Sequence, residues 1–282
     1  MRPAGTLAVF SAVLGAVFIA ALGVGQAVGP IGTAEAGAHG SDHAAPVHDE
    51  KSVQAAGLAV AQDGYRFDLE QAVFDGAGEL RFRVIAPDGQ PLQEYERVHD
   101  KELHLIVVRR DLTGYQHLHP ARDAQGTWSI PLVLQQPGPY KVFADFTLEG
   151  REQALILGAD VTVPGAYVPV SLPTASSTAE VDGYDVNLEG AFTEGSSSEL
   201  SFAISKDGRE VTDLDRYLDA YGHLVVIRVG DLAYLHVHPE EGEAGPKVPF
   251  EAEVPSAGTY RMFLDFQHAG VVRTAQFTGV AR

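Results

Sequence analysis

Apolar and polar residues alternate in short runs along most of this chain, and each run ends at a turn signal. In the first half these runs fall at 65–74, 79–86, 103–109, 115–119, 126–133, 140–147 and 153–163. A period of two puts successive side chains on opposite faces, which predicts half-buried strands. The runs are rich in β-branched and aromatic residues, and Pro87-Asp88-Gly89-Gln90 between two of them is a good turn. No stretch among them carries a helical period. The exception lies at the N-terminus, where residues 6–28 are apolar on every face and uncharged.

The pattern repeats. Gly64-Tyr65 matches Gly183-Tyr184, Asp88-Gly89 matches Asp207-Gly208, and Phe143-x-Asp145-Phe146 matches Phe263-x-Asp265-Phe266. Residues 57–163 and 179–282 therefore read as two copies of one unit, joined by a Pro/Ser/Thr-rich linker at 164–178. About seven strands in roughly 100 residues predict an immunoglobulin-like β-sandwich. The fold class is all-β, with two tandem sandwiches that are expected to fold separately, preceded by an N-terminal hydrophobic helix.

Residues 1–30 read as a signal peptide or a membrane anchor. Small-x-small sites at Ala34-Glu35-Ala36 and Ala36-Gly37-Ala38 suit cleavage, while the length of the apolar run suits retention. Either outcome puts the rest of the chain outside the cytoplasm. Residues 31–56 form a tether containing His39, His43 and His48, either a metal-collecting tail or a solvated linker.

Composition narrows the chemistry. The chain has no cysteine, which excludes disulfides, zinc–thiolate sites and blue-copper ligation. Two methionines are too few for a Met-rich copper(I) site. A net charge of −18 argues against a nucleic-acid partner, because phosphate binding needs a basic face.

Within this acidic chain the histidines are concentrated. Residues 104–120 and 223–239 share a pattern of His, twelve residues, then His-x-His-Pro. The candidates are His104, His117 and His119 in the first copy and His223, His236 and His238 in the second. A four-residue hairpin loop at 110–113 pairs Arg109 with Gly114 and places His104 opposite His119. The equivalent loop at 229–232 places His223 opposite His238. Each copy then gathers three imidazoles on one strand face, within reach of one ion. Asp145 and Asp265 lie in nearly apolar strands, where a carboxylate needs a partner. Each is a fourth ligand, a group orienting a ligating histidine, or a structural carboxylate held by backbone amides or an Arg. His99 adds a further imidazole to the first copy, where the second has Leu218.

The run H-D-K-E-L-H-L-I-V-V-R-R-D-L-x-x-Y-x-H-L-H-P resembles a domain of bacterial exported proteins associated with heavy-metal handling, copper above all. That resemblance implies metal ligation by His99, His104, His117 and His119, and by His223, His236 and His238 in the second copy. Leu218 departs from it and puts the second site in doubt. The leading expectation is non-enzymatic binding of copper(II) or zinc(II), one ion per repeat at most, for buffering, delivery or resistance. Expected partners are the ion and a membrane metal transporter or another exported protein. The alternatives are an interaction module of two sandwiches with structural histidines, and a metalloenzyme. No general base, nucleophile or cofactor loop singles out the last.

Overall fold

The computed structural model describes residues 56–282, apart from Glu152, His236, Glu241 and the side chain of His238. The expected export segment, the expected hydrophobic helix and nearly all of the expected tether lie outside the described residues. Among the described residues no helix is long and apolar enough to cross a membrane.

The first copy contains β1 (Ala61–Gln62), β2 (Tyr65–Leu69), β3 (Ala77–Ile85), β4 (Tyr95–Glu96), β5 (His104–Arg109), β6 (Gln116–Leu118), β7 (Ala121–Arg122), β8 (Trp128–Val133), β9 (Gly138–Leu148) and β10 (Ala154–Val163). The second contains β11 (Thr178–Val181), β12 (Tyr184–Gly190), β13 (Ser196–Lys206), β14 (Arg209–Glu210), β15 (His223–Arg228), β16 (Tyr234–Leu235), β17 (Val237–Pro239), β18 (Lys247–Val254), β19 (Gly258–His268) and β20 (Val271–Ala281). Each copy is a two-sheet antiparallel sandwich. Its outer sheets run β1-β2-β3-β8-β7 and β11-β12-β13-β18-β17, with β14 on β13. The inner sheets run β10-β9-β5-β6, with β4 on β9, and β16-β15-β19-β20.

Outer strands alternate because only one face is covered. In β13, Ser198, Leu200, Phe202 and Ile204 are buried while the residues between them are not. Inner strands do not alternate: every residue from Leu105 to Arg109 in β5 is buried. Leu105 and Val107 enter the first copy's own core, whereas Ile106 and Val108 enter a third core. There they meet Phe143 and Ile156 from the same sheet and Val225, Ile227, Tyr234 and Phe263 from the second copy. Both faces of each inner sheet are thus covered, which is why β5, β9, β15 and β19 carry continuous apolar runs. The two tandem sandwiches are joined through a shared apolar layer.

The chain seals one edge of that layer. Gly57 N donates to Ile156 O at 3.1 Å, Gly158 N to Ala59 O at 2.9 Å, and Tyr234 N to Ala56 O at 3.0 Å. A Cβ on Gly158 would sit 1.8 Å from Gly57 O, so glycine is required at this position of β10. Between the copies, Leu172 of the linker packs on the shared core and Val170 N donates to Asp111 Oδ2 at 2.7 Å.

Candidate metal centre

The hairpin of the first copy has the register its loop length implies. Leu105 pairs with Leu118, Ile106 with His117 and Val107 with Gln116, which sets His104 against His119 one step on. Two loop contacts hold it, Arg109 N to Thr113 O at 2.9 Å and Leu112 N to Arg109 O at 2.7 Å. In the neighbouring ladder His104 pairs with Asp145. His104, Tyr115, His117 and Asp145 therefore share the face that the second copy covers.

Three imidazoles meet there. The ligand nitrogens of His104, His117 and His119 all lie within 4.8 Å of one another. His104 Nδ1 is 3.1 Å from His117 Nε2 and 3.3 Å from His119 Nε2. Two imidazole nitrogens bound to one ion at about 2.0–2.1 Å with tetrahedral angles lie roughly 3.3 Å apart. The spacing is that of a ligand set.

Hydrogen-bond partners assign the lone pairs. His104 Nε2 is 3.2 Å from Val98 O, which only accepts, so Nε2 carries the hydrogen and Nδ1 the lone pair. His117 Nδ1 is 2.9 Å from Asp265 Oδ2 and donates to it, which leaves Nε2 with the lone pair. Two lone-pair nitrogens at hydrogen-bond distance repel each other unless a cation lies between them. A proton would satisfy one of these two contacts, whereas a divalent ion would satisfy all three imidazoles.

Burial keeps His104 and His119 neutral. It lowers His104 to about 2, assisted by the neighbouring His117. Burial also lowers His119 to about 3, again with His117 assisting. An imidazole must be neutral to bind a metal, so these shifts favour an ion over protons.

The second copy's residues are placed differently from the expectation. His223 is buried at 7% exposure and lies against the first copy's histidines, with ring centroids 5.0 Å from His99, 6.0 Å from His117 and 6.3 Å from His104. Its Nε2 is 2.7 Å from Tyr217 O, the counterpart of the His104–Val98 contact. Burial lowers its pKa to about 4. The expected pairing of His223 with His238 is corrected. The β15–β16 ladder has the implied register at Val226↔Leu235, but β17 crosses to the outer sheet, where His238 pairs with Glu251. His236 and the His238 side chain lie outside the described residues. His99 sits in the tight turn between Val98 and Lys101 with a φ of 50°, and burial lowers its pKa.

The two aspartates cross between the copies. Asp265 accepts from His117, from Tyr115 Oη at 3.2 Å and from Thr274 Oγ1 at 2.5 Å. It orients a histidine, but one that belongs to the other copy. Asp145 accepts from Tyr234 of the second copy, and burial raises its pKa to about 6 against the lowering effects of Tyr234 and His117. It lies outside the ligand-spaced group. Both tyrosine hydroxyls are raised well above the ordinary value by burial, so they remain donors. Tyr115 also stacks on Phe263 with centroids 4.0 Å apart, and Tyr234 packs on Phe143 at 5.4 Å. Sequence reasoning missed these tyrosines. The signal was present: each stands two residues before the first His of His-x-His in both copies.

The site lies in a cleft of roughly 170 Å³ between the copies, lined by His99, His104, His117, Asp145, His223 and Tyr234 among others.

A family model described as a domain of unknown function, DUF8832, matches residues 59–163 and again 179–282. No curated protein sequence matches the chain. Among solved structures the chain is similar to FdeC, an Escherichia coli adhesin, at 10% identity, covering 79% of this chain and 66% of that one, with a TM-score of 0.24. It is similar to Yersinia pseudotuberculosis InvD at 9% identity, covering 77% of this chain and 57% of that one, with a TM-score of 0.26. The chain thus spans less than two thirds of either structure, and at such scores neither likeness carries an argument. The fold rests on its own sheets.

Proposed function

The chain belongs to the DUF8832 family, whose domain it carries twice, and we propose that it binds one divalent transition-metal ion between those two domains without catalysing a reaction. Copper(II) and zinc(II) are the ions that suit neutral imidazole donors with no thiolate or thioether. The observation that carries this reading is the pair of lone-pair nitrogens 3.1 Å apart, each oriented by a partner that takes the hydrogen of its other ring nitrogen. A proton on His117, held by Asp265, satisfies this one contact but leaves His119 Nε2 facing the same His104 nitrogen at 3.3 Å. An ion held by His104, His117 and His119 removes the repulsion, with Asp265 as the orienting carboxylate.

The chain acts outside the cytoplasm on this reading, in line with the apolar run at 6–28. Buffering the ion, or passing it to a membrane transporter or another exported protein, is the role that follows. The alternative, an interaction module with structural histidines, makes the opposite prediction for metal. The test is a Cu²⁺ and Zn²⁺ titration of the chain with His39, His43 and His48 replaced by Ala, with and without the His117→Ala/His119→Ala pair. Saturable binding that the pair abolishes supports the proposal. No binding by a folded protein, or equal binding by both, overturns it in favour of the interaction module.

A further inference from the structure

The three-histidine group leaves a fourth tetrahedral position to be filled, and structural metal sites differ from catalytic ones in whether that position is closed. Within the group, ring centroids lie 5.3, 5.1 and 4.8 Å apart. Tetrahedral ligation by imidazoles puts ring centres at roughly 5 Å. Among the described residues the nearest imidazole from the second copy is His223, at 6.0 Å from His117 and 6.3 Å from His104. It stands roughly 1 Å too far out to share the ion as the rings now lie.

Three features prepare His223 for that position. Its Nε2 hydrogen goes to Tyr217 O at 2.7 Å, so Nδ1 keeps the lone pair, as in His104. The ring is buried and lines the same cleft as His104 and His117. In the β15–β19 ladder it pairs directly with Asp265, the carboxylate that already orients His117. Two adjacent strands of the second copy, β15 and β19, therefore present His223 and Asp265 side by side to the group. Among the described residues two other candidates line the cleft: Asp145, which is bonded to Tyr234, and His99, whose ring lies 6.3 Å from that of His104 but has no carboxylate of the group paired beside it.

We infer that His223 closes the coordination sphere, so that one ion is held by His104, His117 and His119 from the first repeat and His223 from the second. The inference rests on the metal-binding reading above and adds the identity of the fourth ligand. It makes the ion a clasp across the two repeats. It also leaves no open position for water or substrate, which accounts for a binding role over a catalytic one. The movement required is an inward shift of His223 with its 217–220 turn.

Co²⁺ is the probe, added to the chain lacking its three tether histidines, with azide as a competing ligand. Four-coordinate cobalt has intense visible bands, and an exchangeable position shows as a change in those bands on adding azide. The expected result is an intense spectrum that excess azide leaves unchanged. His223→Ala should make the spectrum respond to azide and weaken Co²⁺ binding at least about tenfold, the lower end of what even an outer partner contributes. An azide response in the unsubstituted chain overturns the inference and leaves the metal-binding reading standing, and needs no variant to fold. So does an unchanged affinity and spectrum in His223→Ala. Absence of cobalt binding by the folded, unsubstituted chain overturns both.

Discussion

His104 and His223 occupy the same place in two copies of one hairpin, and their surroundings show what duplication has done here. Each gives its Nε2 hydrogen to a carbonyl in the preceding turn, Val98 or Tyr217, and each pairs with an aspartate on the adjacent strand. Beyond that the copies diverge. Asp265 faces Thr274, which donates to it, whereas Asp145 faces Ile156, which cannot. The carboxylate with more partners orients His117, and the poorer one is driven toward its neutral form by burial. Packed face to face, the copies give one composite centre in which residues of each complete the other. Of the second expected site, the described residues include His223 and Asp265, and both face the first copy's histidines.

The largest effect expected from breaking this comparison is on the shared layer. Phe263→Ala removes the ring under Tyr115 and should cost about 3–5 kcal/mol, as for buried aromatics in general. Chemical denaturation should show the loss. Two transitions, with only one shifted, would mean that the copies unfold independently of their interface.

Next comes the aspartate asymmetry. Asp265→Asn should weaken Zn²⁺ binding about 10–100-fold, since it replaces the carboxylate that fixes the tautomer and orientation of His117. Asp145→Asn should change affinity far less. Equal effects in competition titrations would restore two equivalent sites.

The pH dependence of the metal-free protein sharpens the same contrast. His104, His119 and His223 have folded-state values below the ordinary 6.5, so between about 4 and 6.5 the unfolded chain binds more protons. Stability is therefore lost as pH falls through that window, by up to about 1.4 kcal/mol per pH unit for each imidazole that stays neutral. Asp145 works in the opposite direction. Its folded value is raised from 3.8 to about 6, so its contribution is lost as pH rises through that range. Three imidazoles outweigh one carboxyl, and thermal unfolding should show net loss on acidification. A flat profile from pH 6.5 to 4.5 would contradict the buried neutral set.

The smallest effect is expected at His99, which the second copy replaces by Leu218 at a similar φ of 53°. His99→Leu should keep the turn and lower metal affinity less than about tenfold, below the usual cost of losing an orienting partner. A larger loss in the same titration would make His99 a ligand.

How much of this was legible beforehand depends on which contacts are local. The first hairpin's register follows from a four-residue loop, and the structure has it at Ile106↔His117. The all-β sandwiches follow from alternation in strands such as β13. The union of the copies was less legible, although a trace of it was present. VFADF and MFLDF carry no alternation, which is what strands covered on both faces look like. No spacing rule shows that Asp265 meets His117 across 148 residues, because that contact depends on how two sheets dock.

The central claim is a single ion shared by both copies, and counting ions tests it most directly. Native mass spectrometry of the chain lacking His39, His43 and His48, loaded with Zn²⁺ and freed of excess, should show one zinc per chain. The His117→Ala/His119→Ala variant should show none. Two zinc ions per chain, with one retained in that variant, would contradict the account and restore one site in each repeat.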